Sequence, residues 1–186
     1  MAQPKANADL MSSGDYLAGE NDGNVRHEFV NGRIFAMAGG SERHNIIKLN
    51  IAAAFNASVS ERCRVFDGDM KLRVADGAET RFYYPDVFVS CEPGDPDGHV
   101  RSDAVLVIEV LSPSTARVDR LEKFAAYTTL PMLSEYALVD QSVPKVEVFR
   151  RRAAWQREVY GTDDAVDFES IGQTMTVEQI YRRVTP

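Results

Sequence analysis

Hydrophobic and polar positions along this chain change period several times, and each change marks an element. Ser12 or Ser13 can cap a short helix through about Ala18, ended by Asn21-Asp22-Gly23. Asn31-Gly32 separates Val25–Val30 from Arg33–Ala38, and these two residues tolerate the positive φ of a tight hairpin turn. After Gly39-Gly40, Ser41 is placed to cap a long helix reaching about Glu61. Ile47, Ile51 and Phe55 recur at i, i+4 on that helix, beside Ile46, Asn50 and Ala54, and form its core-facing stripe. Strands are expected over about 63–67, 69–74, 81–90 and 104–111. Asp67-Gly68, Asp76-Gly77 and the loop Pro93–Gly98 separate them.

Thr115 opens a helix running to about Thr129, which stops before Pro131. Strands follow at about 135–140, 145–150 and 154–160, with Val143-Pro144 as a connection, and Thr176 caps a last helix over about 177–183. Helices interspersed with runs of strands predict an α/β (α+β) chain with a mixed sheet flanked by helices. Residues 1–11 read as a flexible N-terminal tail and residues 12–186 as a single domain.

Composition narrows the class. Hydrophobic residues make up 44% and charged residues 26%, as in an ordinary soluble domain. No apolar stretch approaches the roughly 20 residues of a membrane span, and no signal-peptide h-region is present, so the cytoplasm is the expected compartment. Cys63 and Cys91 stand apart without a paired-ligand pattern and are expected to be reduced. His27, His44 and His99 are too scattered to suggest a zinc site. The net charge of −7 argues against a chain that wraps nucleic acid. Positive charge is local, at Arg117/Arg120/Lys123 and Arg150-Arg151-Arg152, so contact with DNA would use such a patch.

One acid breaks the most apolar run, Val105-Leu106-Val107-Ile108-Glu109-Val110-Leu111. Both faces of this strand are apolar, so it reads as a central one. Glu109 therefore needs a cation or a metal, because an unpaired buried charge is costly. A second acid, Asp86, follows Pro85 and opens the apolar run Val87-Phe88-Val89. Two acids on two apolar strands are what a Mg²⁺-dependent phosphodiesterase site requires.

The ordered set resembles the PD-(D/E)XK nuclease superfamily, and within it a bacterial family of restriction-endonuclease-like domains. The residues that carry the resemblance are Pro85-Asp86, Ile108-Glu109-Val110-Leu111-Ser112-Pro113-Ser114-Thr115, then Asp119, Lys123 and Tyr127, and Glu135-Tyr136-Ala137-Leu138-Val139-Asp140. Upstream, His27-Glu28-Phe29-Val30-Asn31-Gly32 and His44 complete it, over about residues 12–160. The resemblance implies a restriction-endonuclease-like fold and Mg²⁺, with Mn²⁺ as a substitute, held by Asp86, Glu109 and the carbonyl of Val110. The superfamily pattern places a lysine two residues after the glutamate, where this chain has Leu111. The resemblance implies that the cation comes from the following helix instead, and there Asp119, Lys123 and Tyr127 lie at i, i+4, i+8 on one face, with Lys123 the implied cation. Glu28 and His44 are implied as supporting catalytic groups.

Each site residue has a structural alternative. Asp86 could be a solvated turn acid and Glu109 half of a buried ion pair. Lys123 could belong to an ordinary Asp–Lys helix pair, Glu28 could be a solvated strand acid, and His44 could be structural. At the level of the whole chain, the leading expectation is a Mg²⁺-dependent DNA endonuclease that forms a homodimer, because cutting both strands needs two sites. The alternatives are a catalytically inactive module that binds nucleic acid or a partner, and a hydrolase of a small phosphate ester.

Overall fold

Residues 10–23, 25–37, 39–77, 79–94 and 98–185 are described by a computed structural model of the chain. Ser12 caps α1 (Ser13–Asp22) by accepting from the Asp15 N–H. β1 (His27–Val30) and β2 (Arg33–Ala36) form the expected hairpin, with Asn31 at φ 49° and Gly32 at φ 89°. Most of the expected tail lies outside the described residues, but Met11 donates its N–H to the Gly32 carbonyl. Ser41 caps α2 (Glu42–Ser58), which ends three residues before the expected Glu61. Ile47, Ile51 and Phe55 are fully buried, whereas Ile46, Asn50 and Ala54 are only half-buried at the margin of that stripe.

Next come β3 (Arg64–Asp67) and β4 (Lys71–Asp76). The single strand expected over 81–90 is instead two strands in different sheets, β5 (Glu79–Tyr83) and β6 (Val87–Ser90). Pro85 has no N–H for a ladder and restricts Tyr84, so the chain leaves one sheet and enters the other at Tyr84-Pro85-Asp86. Short β7 (Val100–Arg101) precedes β8 (Ala104–Leu111), which has the expected bounds.

The expected helix after Thr115 is three helical stretches. These are α3 (Ala116–Val118), a π-helical turn at Asp119–Lys123, and α4 (Phe124–Tyr127). The C-terminal part contains β9 (Glu135–Asp140), β10 (Val146–Arg150), β11 (Arg157–Tyr160), β12 (Ala165–Phe168), β13 (Gln173–Thr176) and α5 (Val177–Ile180). Before β11, Ala154 and Trp155 take positive φ, so the strand expected from 154 starts later.

A six-stranded mixed sheet runs β11-β10-β9-β8-β6-β3, with β8 and β9 parallel. A five-stranded sheet runs β2-β1-β5-β4-β7, and β12 and β13 pair separately. Side-chain alternation divides the larger sheet between two cores. Val87, Val89, Leu106, Ile108 and Val110 pack with Ile47, Ile51 and Phe55 of α2. Phe88, Val107, Leu111, Tyr136 and Leu138 face Ala126 and Tyr127, together with Leu72 and Val74 of the five-stranded sheet.

The cysteines correct one expectation. Cys63 and Cys91 are bridged, with Cα atoms 3.9 Å apart. The antiparallel β3–β6 register pairs Arg64 with Ser90, and one further step sets Cys63 opposite Cys91. Sequence separation hid a pairing that only the ladder creates.

Candidate active site

The sheet switch at Pro85 positions the first acid. Asp86 stands at the entrance to β6, beside central β8, and its carboxylate accepts the Val110 N–H at 2.8 Å. In return the Asp86 N–H donates to Glu109 Oε2 at 3.3 Å, so the two acids interlock across neighbouring strands. Glu109 leaves β8 on the Val107/Leu111 face and is 3% exposed. Its other oxygen accepts from the Lys123 ammonium at 3.1 Å and the Tyr127 hydroxyl at 3.0 Å.

Lys123 is the hub of the cluster. Its Nζ lies 3.0 Å from Glu28, 3.1 Å from Glu109 and 3.3 Å from Asp119, and the residue is 7% exposed. Three elements converge to make this possible: β1 delivers Glu28, β8 delivers Glu109, and the π-turn delivers Asp119 and Lys123. Such wider turns within α-helices are frequent at functional sites. The Tyr136 hydroxyl donates to the Asp119 carbonyl and ties the turn to β9. Leu111, where the superfamily pattern has lysine, is buried in the apolar cluster around Tyr127, and the ammonium beside Glu109 comes from Lys123 instead.

His44 Nε2 reaches Asp86 Oδ2 at 3.1 Å. Its helix is anchored over the end of β9: Ser41 Oγ donates to the Gln141 side chain at 2.8 Å, and Arg43 Nε donates to the Gln141 carbonyl at 2.9 Å. Gly40 leaves room for the ring, because a Cβ there would stand 2.9 Å from His44 Nδ1. His27 points to Glu20 at 3.3 Å and takes no part in the cluster.

The charges do not balance. Glu28, Asp86, Glu109 and Asp119 face one lysine, with a histidine at the margin. Burial pushes the Glu109 carboxyl well above the usual carboxylate range; Lys123 opposes this, while Asp119, Asp86 and Glu28 add to it. Burial alone would lower the Lys123 ammonium, but Glu109, Glu28 and Asp119 together hold it well above the ordinary lysine value. Asp119 Oδ1 is buried with no hydrogen-bond partner among the described residues; Lys123 is near it without the geometry of a bond. The carboxylates of Asp86 and Glu109, linked across neighbouring strands, supply oxygen donors of the kind a hard divalent cation takes. Among the described residues, no three His, Cys, Asp or Glu side chains form a ready-made metal cage.

Sequence reasoning brought Glu28, His44, Asp86, Glu109 and Lys123 to one site, and the structure places all five in contact with it. It gave no specific role to the Tyr127 hydroxyl or the orphaned Asp119 oxygen, although their spacing from Lys123 pointed to the shared helix face. The local basic patches do not survive as patches. Arg117 pairs with Glu122, Arg120 with Glu147, and Lys123 is buried among acids. Arg150 is buried against Glu135 and Glu158, Arg151 donates to the Leu133 and Leu130 carbonyls, and Arg152 pairs with Glu169. Like most surface cations in this acidic chain, they are already paired by nearby groups.

The chain is similar to known proteins in both sequence and fold. Residues 14–178 match the family model described as "Uma2: Putative restriction endonuclease". The uncharacterized protein slr1290 of Synechocystis sp. (strain ATCC 27184 / PCC 6803 / Kazusa) is 32% identical over 183 residues, covering 96% of this chain and 95% of that protein. A second protein of the same organism, sll1609, is 31% identical over 170 residues, covering 88% and 95%. A crystal structure from Anabaena variabilis ATCC 29413, described as a putative nuclease belonging to DUF820, superposes with a TM-score of 0.68. At 18% identity, over 83% of this chain and 89% of that one, it shares the fold. Together with the convergence of strand, strand and helix on one acid cluster, the match along most of the chain shows that this protein belongs to the Uma2 family of putative restriction endonucleases.

Proposed function

We propose that the protein is a Mg²⁺-dependent endonuclease that hydrolyses phosphodiester bonds of DNA. The observation that supports this most strongly is the excess of buried carboxylate over cation around Lys123. Uncompensated acids at that depth are expensive unless a cation joins them. Asp86 and Glu109 would hold the ion together with the Val110 carbonyl, and Mn²⁺ could replace Mg²⁺. The Val110 N–H faces Asp86, and its carbonyl leaves the extended strand on the same side, whereas the Leu111 carbonyl accepts from Gln141 beyond β9. Two carboxylates and one carbonyl suit Mg²⁺, which keeps several waters instead of demanding a full protein cage. When bound, the ion would lower the pKa of a coordinated water and neutralise phosphate charge.

The chain's own groups have separate tasks. Lys123 holds Glu109 in orientation and offers a fixed positive charge to the phosphate as its negative charge develops. Tyr127 fixes the same carboxylate oxygen. His44 holds the Asp86 carboxylate from the α2 side at the margin of the site. Glu28 keeps Lys123 charged and directed. A homodimer fits this reading, since cleavage of a duplex needs two sites.

A catalytically inactive binding module is the second reading, and one observation favours it. Glu109 is already satisfied by Lys123 and Tyr127 without any metal. Conversion of supercoiled plasmid separates the two. The proposal expects nicked and linear products with Mg²⁺ or Mn²⁺, none with EDTA, and none from Glu109→Gln. Intact plasmid under every metal condition supports the module.

A further inference from the structure

We propose that Lys48 is a phosphate-binding residue at the mouth of the site, taking a backbone phosphate of the nucleic-acid strand beside the scissile bond. This deepens the nuclease reading and rests on it. Lys48 lies one helical turn after His44 on α2, so the two share a face. Its ammonium crosses the β3–β4 turn at Gly68, 3.5 Å from where a Cβ would stand, and the Pro85 carbonyl is 4.0 Å from that same point. The cation and the Pro85 carbonyl, one residue before a proposed metal ligand, thus border the same spot above Gly68.

What sets Lys48 apart is that it lacks a partner although half-buried, whereas the other cations without one among the described residues, Arg33, Arg73, Arg182 and Arg183, are exposed. Among the described residues Lys48 makes no ion pair or hydrogen bond. The arginines of both sequence-level clusters are occupied by carboxylates or carbonyls, and Lys123 is enclosed by acids. Of the two acids on the adjoining turn, Asp69 pairs with Arg26 at 3.1 Å, and Asp67 makes no ion pair with Lys48. An acidic site in a chain of net charge −7 repels a phosphate backbone unless a cation stands at its entrance. Beyond Lys48, the same face of α2 continues through Ala52 and Asn56 into a groove of about 430 Å³ lined also by Val65, Phe66, Met70 and the acids Asp67 and Asp69, so an anion entering it needs the Lys48 charge. Lysine suits this task as a mobile point charge that needs no fixed fork geometry.

The test is the salt dependence of affinity for a short labelled DNA duplex, in EDTA and again with Mg²⁺ in the Glu109→Gln background. Lys48→Ala is expected to weaken binding equally for all sequences and to lower the slope of log K against log salt by about 0.9, the loss of one phosphate contact. Lys48→Arg should keep the slope. Lys48→Gln serves if the alanine variant melts early. Wild-type binding with an unchanged slope in both neutral variants overturns the role of Lys48 and leaves the nuclease reading standing. A wild type that binds no duplex under either condition overturns both.

Discussion

Replacing Lys123 with alanine should destabilise the metal-free protein far more than loss of a surface lysine would. An exposed i, i+4 pair contributes only a few tenths of a kcal/mol. Lys123 is different, because it touches three carboxylates, at 3.0, 3.1 and 3.3 Å. The side chains of Glu109 and Asp119 are only 4% and 3% exposed. Removing one partner of a buried pair costs about 3–5 kcal/mol, since the other charge stays buried. For a chain of this length each kcal/mol lowers Tm by about 2–4 °C, so a fall of about 6–20 °C is expected. Protonation limits the damage. Without the ammonium, the one influence that lowers the Glu109 carboxyl is gone, and burial holds it still further above its value in the unfolded chain. The folded state then binds more protons, and the deficit should shrink as pH falls. Thermal melts of wild type and Lys123→Ala at pH 8 and pH 5, in EDTA, measure this directly. Adding Glu109→Gln to Lys123→Ala should recover part of the loss by removing one stranded charge. A Lys123→Ala protein that melts with wild type at pH 8 would refute the electrostatic account of the cluster.

Alkylation without reductant should label neither Cys63 nor Cys91, and reduction should cost about 3–4 kcal/mol in urea denaturation, from a bridge across 28 residues. Full labelling of the native protein would contradict the bridge. Acid sensitivity has a source outside the site, opposite in sign to Glu109. Burial works to raise Glu147, but Arg120 and Lys145 hold it below the usual carboxylate range. A depressed carboxyl contributes stability that is present above its unfolded pKa and lost as pH falls through the folded one. The stability gap between wild type and Glu147→Gln should therefore be open at neutral pH and close in acid; a gap that does not change with pH argues against the pairing.

Local signals were legible wherever the residues themselves fix the conformation. Asn31-Gly32 dictated its hairpin, Ser41 its helix start, and the doubly apolar run around Glu109 its central strand. The acids could be found because a carboxylate in such a run demands a partner. What escaped was non-local. The register that opposes Cys63 and Cys91 arises only when β3 pairs with β6. The division of 81–90 between two sheets was hinted at by Pro85, but the continuous apolar pattern on either side concealed it. The π-turn at Asp119–Lys123 keeps an ordinary helical spacing in sequence. The arginine clusters looked basic because their carboxylate partners, such as Glu147 and Glu169, come from distant segments. Lys48 gave no signal at all, since lacking a partner is a property of the folded state.

The account's central claim is that Asp86 and Glu109 share a divalent cation. Anomalous scattering from crystals grown with Mn²⁺ tests it most directly, in wild type and in Asp86→Asn. The account predicts one ion in the wild type, bonded to both carboxylates and the Val110 carbonyl at roughly 2.0–2.2 Å, the range of hard divalent ions of this size, and none in the variant. Saturating Mn²⁺ with no peak at this site, and Glu109 still bonded to Lys123 and Tyr127, would contradict it.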